Sequence, residues 1–204
     1  MRPPGQPLPN RVDPFGELFA SPARGTLMGN RGGRFHCEQT GTVKGRPWAG
    51  RRWICCQLAF KGRKRAVWGQ GYTELFFLDE VTALAAGHRP CFECRREAAL
   101  AFQSCFPRPR GQPLPSAEAM DRRLDADRRQ GRTKRLATLP ITALPDGTML
   151  VLLGHPCAVA GDALLPWTPQ GYGAPMPRPK LGEAQVLTPL ATVEVLLAGY
   201  RVGW

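Results

Sequence analysis

The sequence predicts an α+β protein: a basic, cysteine-bearing module of a β-hairpin and helices, then a small β-rich domain. Three observations predict it. The charge is divided along the chain, which carries a net +12 over 204 residues. Arg24 to Arg65 holds eleven Arg or Lys against one acid, Glu38, a net of about +10, whereas Pro140 to Trp204 holds three basic residues and four acids. A Cys-x-x-Cys pair, Cys91 and Cys94, opens a helical pattern. Beyond residue 135 the chain becomes short apolar runs broken by Pro and Gly. The expected organisation is a Pro-rich tail over 1–23, a basic module over 24–110, a charged helix and basic linker over 111–135, and a β-rich domain over 136–204.

Within the module, Gly29-Asn30-Arg31-Gly32-Gly33-Arg34 reads as a glycine-rich turn whose backbone can approach a phosphate closely. It lacks a Walker-type Gly-Lys-Ser/Thr ending, which argues against a nucleotide site. Arg52 to Phe60 (RWICCQLAF) reads as a strand. Lys61 to Arg65 is a basic turn, and Ala66–Trp68 with Thr73–Leu78 supply the return strands. The turn suits a finger for a DNA groove or backbone; an ordinary solvated hairpin tip is the alternative.

Asp79 then caps a short helix with Val81, Leu84 and Ala85 on one face, stopped at Gly87. A second helix runs from Arg95 to about Phe106, with Ala98, Ala101, Phe102 and Cys105 as its buried stripe, and Pro107 and Pro109 end it. A third spans Ser116 to Gln130, capped by Ser116, with Met120 and Leu124 inward. The last segment holds four or five short strands, with a turn at Pro145-Asp146-Gly147, and a final helix capped by Thr188 with Pro189 at its first position.

Hydrophobic residues make up 43% of the chain, enough for a packed core. No run approaches the ~18 apolar residues of a membrane helix, and Met1 to Pro9 lacks the apolar stretch of a signal peptide. The expectation is a cytosolic protein with no membrane partner. There thiols stay reduced, and seven cysteines is an odd number, so close pairs favour metal ligation over disulfides. The clustered positive charge points to a polyanion, nucleic acid with DNA favoured over RNA, because each neutralised phosphate releases condensed counterions. Trp48, Trp53 and Trp68 are expected in the core.

Cys-x-x-Cys at a helix start points to zinc for a geometric reason. The turn lets both thiolates converge on one ion, and the helix N-terminus favours negative sulfur. A thioredoxin-like redox pair would need a βαβ context that is absent. The remaining ligands come from Cys55, Cys56, His36, Cys37 and His88. Cys55 and Cys56 are adjacent on a predicted strand, so both reach one ion only if the strand breaks.

Thr82 to Arg95 (TALAAGHRPCFECR) resembles the zinc module of the bacterial Ada-type DNA methylphosphotriester repair proteins. That family has a short helix ending in Ala-Ala-Gly followed by Arg-Pro-Cys-x-x-Cys-Arg. The resemblance covers about Trp53 to Phe106 and implies Zn2+ at Cys91 and Cys94. At the nearest earlier position it implies zinc at Cys55 and Cys56, although the family's Cys-x-x-x-Cys spacing does not occur here. In that family four cysteines bind zinc and one accepts a methyl group from a DNA phosphate, a role the resemblance extends to Cys55 or Cys56. Arg89, Arg95 and Arg96 then join Arg31, Arg34, Lys61, Arg63, Lys64 and Arg65 as expected nucleic-acid contacts. The implied function is DNA damage recognition or repair.

Two enzymatic alternatives share the same residues. Zinc deaminases carry His-x-Glu and Pro-Cys-x-x-Cys, matched in letters by His36-Cys37-Glu38 and Pro90-Cys91-Phe92-Glu93-Cys94. Their His-x-Glu opens a helix, whereas residues 39–50 here hold three glycines and a proline. A DNA glycosylase or lyase built on the GNRGGRFH segment would use His36 and Glu74 as acid–base groups.

Overall fold

The computed structural model describes residues 6–63 and 66–204, so Lys64 and Arg65 lie outside the described residues. The chain begins with β1 (Arg11–Val12), β2 (Leu18–Phe19) and β3 (Leu27–Arg31), then the short pair β4 (His36–Cys37) and β5 (Thr42–Val43). β6 (Trp53–Gln57), β7 (Leu75–Phe77), α1 (Glu80–Ala85), β8 (Arg89–Pro90), α2 (Arg96–Ser104) and α3 (Ala117–Arg128) follow. Six of these strands form one sheet in the order β2-β1-β7-β3-β6-β8.

That order corrects two expectations. The predicted hairpin of β6 and β7 does not form, because β3 lies between them and pairs antiparallel with both, Gly29 opposite Cys55 on one side and Leu75 on the other. Residues 66–74 are turns and bends, and the return strand is confined to Leu75–Phe77. Gly29, expected in a turn, is in mid-strand for a packing reason. A Cβ there would stand 2.2 Å from the Ile54 carbonyl oxygen and 2.8 Å from the Phe77 ring. The expected tail also contributes structure from residue 6 on: Arg11 of β1 pairs in parallel with Phe76, and Val12 is buried.

The helices follow the local signals more closely. Asp79 Oδ1 accepts the Thr82 N–H at 2.8 Å, and Gly87 takes φ +90° at the stop. Ser116 Oγ accepts the Ala119 N–H at 3.1 Å, and Met120 and Leu124 are fully buried. α2 is shorter than expected and buries Ala99 and Phe102, leaving Ala101 exposed and Ala98 and Cys105 half-buried.

After α3 come the hairpin β9 (Arg129–Gln130) and β10 (Thr133–Lys134), then β11 (Ala137–Pro140), β12 (Met149–Leu152), β13 (His155–Ala160), β14 (Ala163–Thr168), β15 (Gly171–Tyr172), β16 (Met176–Pro177), β17 (Glu183–Val186) and the final helix α4 (Leu190–Leu197). β11 to β17 form a seven-stranded antiparallel sheet, richer than the expected four or five strands. Thr188 does not cap α4: its hydroxyl accepts the Met149 N–H. Asp127 of α3 supplies the cap instead, accepting the Ala191 N–H at 2.9 Å.

Each half has a buried cluster of its own, around Leu75 and Phe77 in the first and around Leu150 and Val159 in the second, and two further clusters are shared. One cluster joins Leu84, Phe102, Met120 and Leu124 to Ala191 and Val195 of α4. Another joins Val81 and Ala85 of α1 to Met149, Ala158 and Leu187. Residues 136–204 therefore pack into the module rather than standing beside it. No helix among the described residues is long and apolar enough to cross a membrane.

Candidate metal centre

β6 runs unbroken through both adjacent cysteines, so strand alternation separates them. Trp53 and Cys55 enter the core, Cys55 fully buried, while Ile54 and Cys56 face the other way. β8 pairs in parallel with β6, Cys55 opposite Pro90, and the Cys91 N–H donates to the Cys55 carbonyl at 3.0 Å. This pairing fixes Cys91 beside the end of β6. The chain then turns, the Arg95 N–H reaching the Cys91 carbonyl at 3.0 Å, before α2 starts.

The result is three sulfurs, of Cys56, Cys91 and Cys94, all within 4.8 Å of one another. Zn–S bonds of ~2.3 Å at tetrahedral angles place sulfurs ~3.8 Å apart, so a small contraction suffices to seat an ion. Backbone donors are aimed at the same sulfurs. The Glu93 N–H meets Cys91 Sγ at 3.4 Å, with the Cys94 N–H a further donor to it, and the Gln57 N–H serves Cys94. Such donors stabilise thiolate in a metal's surroundings. The Cys56 thiol bonds to Cys91 and holds its acidity at about 5, while that same bond, with burial, raises Cys56 far above its ordinary value. Burial raises Cys94 as well. Three thiols crowded together cannot all ionise without a cation among them. The donor set fits a soft or borderline metal.

A cavity of about 330 Å³ opens beside the three sulfurs, walled by Met28, Ile54, Phe60 and Phe76 and reached by Asn30 and Glu74. At its rim Arg63 pairs with Glu93. A groove of about 510 Å³ shares Asn30, Ile54, Tyr72, Cys91 and Glu93 with this cavity and continues past Gly32, Gly33 and Arg52.

The structure places the other predicted site residues elsewhere. Cys55 is turned away, buried at the tip of Arg95, whose Nη1 donates to its sulfur at 3.1 Å; burial pushes its thiol up to about 12. As a metal ligand Cys55 is therefore corrected, because the strand does not break. His36 is structural as well. Its ring stacks on Trp68, Nε2 donates to the Gly69 carbonyl at 3.0 Å, and Nδ1 meets Thr73 Oγ1 at 2.8 Å. Neither His36, Cys37 nor His88 belongs to the sulfur cluster, and Glu38 is exposed. The His-x-Glu pattern thus has no counterpart in space, since His36 begins a strand rather than a helix. Glu74 Oε2 accepts the Trp68 N–H at 2.8 Å while lining the cavity.

Among the arginines, Arg31, Arg89 and Arg95 are turned inward. Arg31 is 1% exposed on β3, its guanidinium 3.9 Å from the Trp53 ring centroid. Arg89 is clamped by Asp121 through two bonds of 2.8 and 2.9 Å. Arg95 bridges Cys55 and Glu80, the latter at 2.9 Å. Arg34, Lys61, Arg63 and Arg96 are exposed as expected. Exposed Arg52 and the partner carboxylates Asp121 and Glu80 were missed, because nothing local in the sequence marks which charges meet across long separations. No protein-family model, curated protein or solved structure matches the chain.

Proposed function

We propose that the protein is a zinc-containing nucleic-acid-binding protein acting in DNA damage recognition or repair. The observation that carries the reading is the convergence of Cys56, Cys91 and Cys94 in the lining of a cavity. Three protein ligands with an open fourth position is the arrangement of reactive rather than closed structural zinc sites. When bound, zinc supplies a Lewis acid and lowers the proton affinity of whatever oxygen or sulfur occupies that position. Asn30, Gln57, Tyr72 and Glu74 bring polar groups of this chain to the cavity wall, beside the Arg63–Glu93 pair; Glu74 also fixes the Trp68 loop beside the cavity. The resemblance of residues 82–95 to the Ada-type zinc module supports DNA as the partner.

Exposed Arg34, Arg51, Arg52, Lys61 and Arg63 lie on the basic half of the chain, and Arg52 lines the groove that adjoins the sulfur cavity. A strand following that groove would bring one of its groups to the metal. Arg52→Ala with Arg63→Ala is expected to weaken binding to all DNA sequences alike and to lessen the slope of log affinity against log salt by about two units, ~0.9 for each phosphate contact on duplex DNA. Unchanged affinity and slope in a folded double variant that keeps its zinc rules out this path.

A second reading is favoured by one observation, a buried glutamate in the lining of the cavity that the three cysteines share. Zinc nucleobase deaminases use a Cys-rich zinc site with a glutamate that is not a ligand as the proton shuttle. Here Glu74 takes that place, not Glu38. Deamination of cytosine or adenine nucleosides by the zinc-loaded protein, abolished in Glu74→Gln, would select this reading over the first.

A further inference from the structure

A second cavity, of about 220 Å³, lies away from the three sulfurs between β3, the loop before β2 and the β9–β10 hairpin. Among the described residues its lining carries five basic side chains, Arg31, Arg128, Arg129, Arg132 and Lys134, against one carboxylate, Glu17. Trp48 and Trp53 contribute aromatic walls. Two of these cations are interior: Arg31 is 1% exposed and Arg128 2%.

Most of their donors end on neutral oxygens. Arg31 Nη2 donates to the Gly16 carbonyl at 2.8 Å, Arg128 Nη1 to the Gly87 carbonyl at 3.1 Å, and Lys134 Nζ to the carbonyls of Pro14 and Ala85. Carbonyls orient the cations but leave their charge in place. Two further carboxylates stand behind the wall: Asp13, which acts on Lys134 and Arg31, and Asp125, divided between Arg128 at 2.8 Å, Arg129 at 2.7 Å and Arg51 at 3.6 Å. Arg128 Nε is buried with no acceptor among the described residues. Both Arg31 and Arg128 stand 3.9 Å from the Trp53 ring centroid, an attraction that holds two like charges near one another.

We propose that this cavity is a binding site for a compact oxyanion of the phosphate class. A buried cation group that outnumbers its carboxylates is costly, and an anion among them lowers the cost while offering acceptors to unpaired donors. Burial, reinforced by the cations' mutual repulsion, already lowers Arg31 to about 9 and Lys134 to about 7. Burial lowers Arg128 to about 10. The volume is below the roughly 300 Å³ at which sites for drug-sized molecules begin, which suits a phosphate group rather than a whole dinucleotide. Arginine forks and the planar walls favour tetrahedral oxyanions over chloride. This site is independent of the metal reading.

The test is calorimetric titration of the full-length protein with inorganic phosphate, at constant ionic strength and with chloride as control. Saturable one-site binding is expected. Arg132→Ala removes an exposed side chain and is expected to weaken binding about tenfold, the worth of one charge-assisted hydrogen bond. Lys134→Met is expected to weaken it at least as much; if it does not fold, Arg132→Ala still decides. Zinc content should be unchanged in both. Two oligonucleotides, one with a 5′-phosphate and one with a 5′-hydroxyl, identify the source. Preference for the phosphorylated end, competed by inorganic phosphate, assigns the site to nucleic-acid termini, and equal binding of the two assigns it to the free anion. Phosphate heats no greater than those of chloride, or wild-type affinity in Arg132→Ala, overturn the proposal.

Discussion

Arg89 and Arg52 carry the same side chain into opposite roles, and burial decides which. Arg52 faces water along the groove, where a phosphate contact costs little desolvation. Arg89, although it stands in the Arg-Pro-Cys stretch expected to touch DNA, is 2% exposed and committed to Asp121. Taking the carboxylate away leaves a guanidinium buried without its counter-charge. Asp121→Ala is therefore expected to lose about 3–5 kcal/mol in urea unfolding, far more than a surface ion pair is worth. A loss under about 1 kcal/mol would show that Arg89 escapes to solvent. Sequence displays the charge of an arginine but not its depth, so the basic half of the chain was legible as basic while the inward turn of Arg31, Arg89 and Arg95 was not.

Elements whose causes are local were legible. Asp79 and Ser116 cap their helices and Gly87 stops α1, because a cap needs only the residues of one turn. Elements whose causes are distant were misread. β3 carries a turn signal in Gly29-Asn30, yet pairing with β6 and β7 makes it the strand between them, and the close approach at Gly29 is what the missing side chain permits. That insertion dissolves the predicted hairpin and leaves Lys61 and Arg63 on a loop rather than at a finger tip. The helix α4 is capped from Asp127, 64 residues earlier, which no local pattern can announce. The pair Cys91 and Cys94 was legible from spacing, and the remaining ligands were sought among Cys55, Cys56, His36, Cys37 and His88, with both Cys55 and Cys56 favoured. The choice between them needed the strand to be shown unbroken.

Charge divides the molecule in two, while its core is divided only in part. The clusters that join α1 to β12, β13 and the segment after β17, and α2 and α3 to α4, cross the expected boundary at residue 136. One cooperative unfolding transition is expected for the whole chain. Residues 136–204 expressed alone keep the cluster of Leu150, Val159, Leu164 and Val186 but uncover Met149, Ala158, Leu187 and Val195, so their thermal transition by circular dichroism should fall well below that of the whole chain. A fragment as stable as the whole chain would restore the two-domain organisation. The metal would add a further tie, from β6 to the turn before α2, so its loss should be felt by the whole chain. The most direct measurement is zinc content per chain in Cys55→Ser and Cys56→Ser, purified side by side under reducing conditions. The expected result is about one zinc in wild type and in Cys55→Ser, and loss of zinc with a lowered unfolding midpoint in Cys56→Ser. Zinc retained in Cys56→Ser, or lost only in Cys55→Ser, would mean that the centre is not built on Cys56, Cys91 and Cys94.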